Sequence, residues 1–312
     1  MLRLADHWVW DSWVAHDGEH HHLFFLRASR ALIDPDRRHL RASIGHARST
    51  DLRTWELLPD ALVPADSPAW DDQATWTGSV VRGPDGLWRL FYTGVSRAER
   101  GLVQRVGVAT STDLTTWRRA GDGPLLEADP RWYELLDLDA WIDQAWRDPY
   151  VVADPKGEGW HMLLTARVRD GDPQGRGVIG HATSPDLERW EVQPPLTVPG
   201  GFGQMEVPQV VVVDDLPVLV FSCWPDRMSA ERRAQAPRGG VWSVPGATLL
   251  GPWDLADATP FDHPSLYAAR LVEEAPGRWG LLGFRDTEDG AFVGAIPDPF
   301  PVVRDGRSVR LV

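Results

Sequence analysis

The sequence predicts an all-β fold, and within that class a five-bladed β-propeller with four antiparallel strands in each blade. Three stretches carry nearly the same motif, Ser49–Trp55, Ser111–Trp117 and Ser184–Trp190, and a degraded copy ends at Trp253. The tryptophans that end these copies are 62, 73 and 63 residues apart. Short apolar runs separated by turns fill the intervals. A repeat of this length that is built of strands is typical of a radial array of small sheets.

The second repeat shows the strand pattern most clearly. An apolar strand over Thr77–Val81 is followed by a turn at Gly83–Gly86, a second strand over Leu87–Tyr92 and a third over Val106–Ala109. In the turn, proline fixes its own φ angle and glycine can adopt a positive one. The pattern assigns residues 1–312 to a single domain without a C-terminal β-sandwich. The expected blades cover approximately residues 5–62, 70–126, 145–199, 203–258 and 262–312.

The two ends of the chain are expected to close the ring of blades. Ser308–Val312 is predicted to be the last strand, and Leu2–Leu4 is predicted to help close the ring. Closure removes the exposed sheet edges that would otherwise invite association.

Three segments do not fit the strand pattern, at residues 29–42, 127–146 and 223–240. Within the third, Met228–Ala236 is predicted to be locally helical. Loops on one rim of a propeller usually shape its pocket. The second segment is the best candidate for a pocket wall because of its aromatic side chains, which are Trp132, Tyr133, Trp141 and Trp146.

Composition and charge exclude several classes of partner. The net charge of −13 argues against binding to a phosphate backbone. No apolar run is long enough for a membrane span or a signal peptide, so we expect no nucleic-acid partner, no membrane partner and a cytoplasmic location. Cys223 is the only cysteine and cannot form an internal disulfide. The 17 tryptophans supply apolar faces that pack between blades and also suit sugar rings.

Acidic residues begin the predicted innermost strands of three blades. They are Asp11, Asp148 and Glu206. Because the first strands of a propeller surround one axis, these carboxylates should converge, and their repulsion should raise the pKa of at least one. Glycoside cleavage needs such a pair, a protonated acid beside an ionised partner. A single acid at a strand start could simply cap a turn, but three in equivalent places favour a functional site.

These residues resemble two related families of glycoside hydrolases, the levansucrases of family 68 and the invertases and fructanases of family 32. Val9–Trp13 resembles the nucleophile segment of family 68, and Trp76–Ser79 resembles the Trp/Phe-Ser-Gly-Ser segment of both. Arg147–Pro149 matches the Arg-Asp-Pro motif of both families. Met205–Gln209 resembles the Glu-Cys-Pro segment of family 32, and Ser265–Ala268 resembles its Asp-Phe-Tyr-Ala segment. The resemblance spans the whole chain in the right order.

The resemblance implies a retaining glycoside hydrolase that cleaves β-fructofuranosides, such as sucrose or short fructo-oligosaccharides, and that allows fructosyl transfer. It implies Asp11 as the nucleophile, Glu206 as the acid/base and Asp148 as the transition-state stabiliser. No cofactor or metal is predicted, the expected partner is a small carbohydrate, and the oligomeric state is left open. The candidate substrate-binding residues are Trp10, Trp76, Ser79, Arg147, Tyr267 and Arg270.

The chain also departs from the family 32 pattern. Asp11 is followed by Ser12 and Trp13, where that family has Asn-Asp-Pro-Asn-Gly around its nucleophile, and Thr77 and Val207 replace a serine and a cysteine. Two alternatives therefore stay open. One is an inverting arabinanase or xylosidase of the family 43 kind, whose carboxyls lie about 6.5–9.5 Å apart, against about 5–5.5 Å in retaining enzymes. The other is a carbohydrate-binding propeller without activity.

Other polar residues are interpreted as structural. The aspartates of the repeated motif, Asp51, Asp113 and Asp186, are expected to accept hydrogen bonds from backbone N–H groups in turns. The run His20–His22 is interpreted as solvated surface, because successive side chains of an extended segment point to opposite sides and do not converge on a metal.

Overall fold

The computed structural model describes residues 1–312, which form five antiparallel β-sheets arranged as the blades of a propeller. The first sheet contains β1 (His7–His16), β2 (His21–Ser29), β3 (Ser43–Ser49) and β4 (Glu56–Leu62). The second contains β5 (Ala74–Arg82), β6 (Trp88–Val95), β7 (Arg105–Ser111) and β8 (Arg118–Arg119). The third contains β9 (Trp146–Ala153), β10 (Trp160–Arg167), β11 (Gly177–Ser184) and β12 (Glu191–Gln193).

The last two blades each add a short extra strand to the four. The fourth sheet contains β13 (Glu206–Val213), β14 (Leu216–Cys223), β15 (Gly240–Thr248) and β16 (Gly251–Trp253), with β17 (Thr259–Pro260) paired to β15. The fifth sheet contains β18 (Leu266–Ala275), β19 (Arg278–Glu288), β21 (Phe300–Asp305) and β22 (Ser308–Leu311), with β20 (Ala291–Ala295) paired to β19. The predicted five-bladed architecture is confirmed.

The first strands of the blades surround the axis. Strand β1 contacts β5, β5 contacts β9, β9 contacts β13, β13 contacts β18, and β18 returns to β1. The N-terminus joins the closing blade, because the backbone groups of Leu2 and Ile296 exchange two hydrogen bonds, as the prediction of ring closure requires. No helix in the chain is long and apolar enough to cross a membrane.

The repeated motif forms a turn that links the third and fourth strands. In the second blade the Asp113 carboxylate accepts hydrogen bonds from the backbone N–H groups of Thr115 and Thr116, at 2.8 and 2.7 Å. Asp51 and Asp186 do the same, which confirms their prediction as turn acceptors. The leucine after each aspartate is buried at a positive φ, an uncommon conformation for a bulky residue that the surrounding packing must enforce.

Tryptophans of the repeated motif pack between blades. Trp117 meets Phe24 of the preceding blade edge to face at 5.7 Å, and Trp190 meets Phe91 in the same way at 5.5 Å. Each such pair joins the fourth-strand side of one blade to the second strand of its neighbour, so the repeated tryptophan supplies the same contact at two inter-blade interfaces.

The prediction that His20–His22 is solvated surface is wrong for His22, which is buried. Its ring bonds to Asp17 at 3.1 Å and to the ring of His46 at 2.9 Å. The third blade repeats this arrangement with other residues, which are Asp154, His161 and His181. A carboxylate in the first turn thus orients two stacked histidines on the second and third strands, a feature that the sequence spacing alone does not reveal.

Most of the chain outside the strands forms short helical turns and loops. The one α-helix, α1, covers Ala230–Gln235 within the predicted helical stretch. Five 3-10 turns complete the helical structure, at Arg30–Leu32, Pro35–Arg41, Pro173–Gly175, Pro225–Arg227 and Leu255–Asp257. Three of them occupy the segments after β2 and after β14, which lie at the end of the axis where the innermost strands begin. Strand direction explains this, because the second strand of an antiparallel pair ends where the first begins.

Candidate active site

A cavity of about 350 Å³ opens at the end of the axis where the innermost strands begin. We call it the acidic cavity because Asp11, Asp148 and Glu206 all line it, each from a different blade. The structure therefore brings together the three acids that the sequence singled out. Four of the predicted binding side chains line the same cavity, which are Trp10, Trp76, Arg147 and Tyr267, and Gln204 lines it as well.

Bulges in the innermost strands direct these acids to the axis. The pairing of β1 with β2 shifts register between Trp10 and Ser12, on either side of Asp11, and Asp11 has a φ of 21°. Asp148 has a φ of 59° where the pairing of β9 with β10 shifts register. A bulge of this kind turns one side chain away from the strand alternation. Backbone strain of this kind is characteristic of functional sites.

One carboxylate oxygen of Asp11 accepts a hydrogen bond from the protein, and the other accepts none. The Thr77 hydroxyl of the neighbouring blade donates to its Oδ2, and its Oδ1 has no protein partner. Burial, with the Asp148 carboxylate as the next cause, raises the pKa of Asp11 to about 7, and the hydrogen bond from Thr77 opposes that rise. The free oxygen borders the cavity and is available to react with a bound molecule.

Asp148 is anchored more firmly. Its Oδ2 accepts hydrogen bonds from the Thr165 hydroxyl at 2.7 Å and from the Val207 backbone N–H at 3.1 Å. The Asp148 backbone N–H donates to the Thr93 hydroxyl at 2.9 Å. Its Oδ1 makes no hydrogen bond to the protein, so this carboxylate offers one oxygen in a fixed position to a ligand hydroxyl.

Glu206 is the third acid and has two donors. Arg147 donates from Nη2 to its Oε1 at 2.8 Å, and the Tyr267 hydroxyl donates to its Oε2. Burial raises the pKa of Glu206 in spite of the positive charge of Arg147. Arg147 itself is fixed by Gln104 at 3.0 Å and by Gln204 at 2.9 Å, so its planar guanidinium sets the position of the Glu206 carboxyl.

Aromatic side chains form the walls of the acidic cavity. Trp10 and Trp76 lie on the two blades that supply Asp11 and Thr77, and the Trp76 indole N–H donates to the His39 carbonyl at 2.6 Å. On the opposite side Trp224 stacks on Tyr267 with ring centroids 4.0 Å apart. Aromatic faces around a few fixed polar groups are the usual lining of a sugar-sized site.

Two predicted binding residues lie elsewhere. Ser79 and Arg270 do not line the acidic cavity but a separate, deeper one on the axis. The reason is the bulge in each strand, since the register shifts between Trp76 and Gly78 and between Tyr267 and Arg270. The side chains two residues beyond Thr77 and Ala268 then face the axis one level further along the strands. The interpretation of Ser79 and Arg270 as residues that contact the same ligand as the acids is corrected accordingly.

The three predicted rim segments all contribute to the acidic cavity, although not through the expected residues. The segment 127–146 supplies Ile142 and Asp143, whereas its aromatic side chains pack elsewhere. Trp141, for example, lies under the Arg167 guanidinium at 3.6 Å. The residues that sequence reasoning missed are Arg38, His39, Leu40, Ile142, Asp143, Trp224 and Arg227. Their position in the segments after β2, before β9 and after β14 was the signal in the sequence that could have identified them.

No group of three or more His, Cys, Asp or Glu side chains is placed to hold a metal ion.

Known proteins are similar to this chain in sequence. A sucrose-6-phosphate hydrolase of Zymomonas mobilis is 28% identical over 265 residues, which are 78% of this chain and 46% of that protein. A β-fructofuranosidase of Arabidopsis thaliana, insoluble isoenzyme CWINV5, is 32% identical over 168 residues, which are 53% of this chain and 27% of that protein. The chain thus spans about a quarter to a half of the length of these relatives.

Solved structures share the fold over the whole chain. An inulosucrase from Halalkalicoccus jeotgali superimposes with a TM-score of 0.79 at 21% identity, over 100% of this chain and 90% of the other. A β-fructofuranosidase of Bombyx mori, BmSUC1, gives a TM-score of 0.78 at 17% identity, over 100% of this chain and 64% of the other. The sequence profile described as the glycosyl hydrolases family 32 N-terminal domain matches residues 11–291. The chain therefore belongs to glycosyl hydrolase family 32.

Proposed function

We propose that this protein is a retaining β-fructofuranosidase that acts on sucrose or short fructo-oligosaccharides. The observation that carries the proposal is the convergence of Asp11, Asp148 and Glu206, from three separate blades, on one aromatic-walled cavity. Membership of family 32 and relatives that are named β-fructofuranosidase and sucrose-6-phosphate hydrolase support the same chemistry.

In the proposed reaction, Asp11 attacks the anomeric carbon of the fructosyl unit with its free Oδ1. The bond from that carbon to the glycosidic oxygen breaks, and protonated Glu206 gives its proton to the departing oxygen. The product is a fructosyl ester on Asp11. Glu206, now a carboxylate, then takes a proton from water as the water attacks the same carbon, which releases fructose and restores both residues. Attack by a sugar hydroxyl in place of water gives transfer.

The neighbours of the acids fit these roles. Asp148 offers its free Oδ1 to sugar hydroxyls while Thr165 and the Val207 N–H hold its other oxygen. The raised pKa of Glu206 keeps a proton available for the leaving group. Thr77 favours the ionised form of Asp11 through its hydrogen bond, which is the form that attacks. Arg147 and Tyr267 hold the Glu206 carboxyl in place.

A substrate panel with product analysis tests the proposed activity. The panel contains sucrose, inulin, levan, arabinan and nitrophenyl furanosides, each incubated with the purified protein and with its Asp11→Asn variant. We expect fructose from sucrose and short fructans with the unmodified protein and none with the variant. Arabinose from arabinan would instead support the family 43 kind of activity. Binding of fructosides without any product would support a carbohydrate-binding propeller.

Azide rescue tests the assignment of Glu206. In Glu206→Ala no carboxylate is present to activate water, so a fructosyl-enzyme formed from a nitrophenyl fructoside should be long-lived. Azide needs no base and should attack it, which restores turnover and yields fructosyl azide. Azide that leaves the rate of Glu206→Ala unchanged, while that variant is folded, would contradict the acid/base assignment.

A further inference from the structure

A second cavity, of about 210 Å³, lies on the propeller axis one level beyond the three acids. We call it the axial cavity. All five innermost strands line it, each with the side chain that lies two residues beyond the bulged position, which is Asp11, Thr77, Asp148, Val207 or Ala268. These five side chains are Trp13, Ser79, Tyr150, Gln209 and Arg270. Neither the family comparison nor the proposed reaction gives this cavity a role.

The Arg270 guanidinium is the dominant group in the axial cavity. The residue is only 4% exposed, and its Nε and Nη2 atoms are buried without a protein hydrogen-bond partner. No carboxylate oxygen lies within 4 Å of it, and the charges of Asp148 and Asp11 act on it only from a greater distance; its Cζ lies 5.2 Å from the centroid of the Tyr150 ring. Burial lowers the pKa of Arg270 to about 10, which leaves it positively charged at neutral pH.

The other polar groups of the axial cavity add donors rather than negative charge. The Trp13 indole N–H has no protein partner. The Ser79 oxygen accepts from the Val151 backbone N–H at 3.1 Å, so the Ser79 hydroxyl proton is free to be donated. Gln209 is held by the backbone of Leu271, because its Nε2 donates to the Leu271 carbonyl at 2.9 Å and its Oε1 accepts from the Leu271 N–H at 2.7 Å. No aspartate or glutamate lines the cavity.

A buried cation without a counter-charge in direct contact is costly, as are buried N–H groups without acceptors. Both costs fall if an acceptor that carries one negative charge enters the cavity. Several valines and Leu271 form the rest of the wall, which would not solvate a dianion such as sulfate. A compact monovalent anion matches the single positive charge and fits within the cavity.

We propose that the axial cavity binds a small inorganic monovalent anion of the halide class, held by Arg270 with Ser79 and Trp13 as additional donors. The anion neutralises the guanidinium in the centre of the ring and links donors from three blades. It therefore stabilises the folded propeller without contact with the sugar.

Bromide crystallography tests the site directly. Crystals of the protein are soaked in sodium bromide, and anomalous data are collected at the bromine absorption edge. We expect an anomalous peak in the axial cavity within hydrogen-bonding distance of the Arg270 guanidinium, and no such peak in crystals of Arg270→Met. Density for water alone at this position, or an equal peak in Arg270→Met, would overturn the proposal.

Thermal unfolding tests the same proposal in solution. Chloride is raised at constant ionic strength, and the Tm of the unmodified protein should rise by about 2–4 °C at roughly ten times the dissociation constant. Arg270→Met should lose this response, whereas Arg131→Met, which removes an exposed arginine, should keep it. Ser79→Ala, a smaller change that spares the guanidinium, should shift the response to higher chloride concentrations.

Equal chloride responses in the unmodified protein, Ser79→Ala and any folded Arg270→Met would contradict an anion site. Since neither readout involves turnover, failure here is distinguishable from failure of the proposed reaction.

Discussion

The acidic cavity and the axial cavity are built by the same five strands, one level apart, yet their electrostatics are opposite. The first holds Asp11, Asp148 and Glu206 beside two buried arginines, Arg38 and Arg147, of which Arg147 is bonded to Glu206. The second holds Arg270 and no acid at all. The difference shows that a propeller axis is not one continuous site, because each level of side chains can carry its own charge and its own ligand.

Bulges separate the two levels. Each innermost strand has a register irregularity between them, and residues at or beside four of these irregularities have positive φ, namely Asp11, Asp148, Val207 and Ala268. Without bulges, strand alternation would continue through both levels and place different residues on the axis. The bulges therefore determine which side chains line the acidic cavity and which line the axial cavity.

Replacement of Asp11 by Asn should have the largest effect on activity, because Asp11 is the proposed nucleophile in the acidic cavity. Asn cannot form the proposed ester, so kcat should fall by roughly 10⁴-fold or more while the fold is unchanged. Steady-state assays on sucrose and circular dichroism measure the two outcomes. Asp113→Asn is the matched control. Asp113 belongs to a turn, so this variant should retain full activity. Wild-type rates in Asp11→Asn would show that the nucleophile is another residue.

Thr77→Val should have an intermediate effect that appears in the pH profile. The Thr77 hydroxyl stabilises ionised Asp11, so its loss raises the pKa of Asp11 further above about 7. Because the ionised form is required, the acidic limb of kcat/KM should move to higher pH, by roughly one unit. Thr77→Ser keeps a hydroxyl and should keep the limb in place. A profile of Thr77→Val that coincides with the unmodified one would remove Asp11 as the group that sets this limb.

Asp186→Ala should have the smallest effect on activity and a measurable one on stability. Its carboxylate accepts from two backbone N–H groups at 3.0 and 2.8 Å in a turn far from both cavities. Loss of these acceptors should lower the free energy of unfolding by about 1 kcal/mol, measured in urea, with kcat/KM unchanged. Asp186→Asn retains an acceptor oxygen, so its free energy of unfolding should fall by less than that of Asp186→Ala. A large loss of activity in folded Asp186→Ala would show that the turns and the axis are coupled.

The sequence was sufficient to predict the fold and the three acids, because both follow from repetition. Repeated Trp and Asp residues marked the turns, and the acids occupied equivalent places after them. Ser79 and Arg270 were misplaced because a bulge moves a side chain by one position without a signal in residue type. Trp224 was missed because its role depends on where β14 ends, and the stacking of Trp224 on Tyr267 joins two blades.

The stereochemistry of methanolysis tests the central claim most directly. The protein is incubated with sucrose in buffer that contains methanol, and the methyl fructoside formed is identified by NMR, since this product does not mutarotate. An ester on Asp11 requires two displacements, so the account predicts methyl β-fructofuranoside, with retained configuration. Formation of the α-anomer would indicate a single displacement and would contradict Asp11 as a nucleophile.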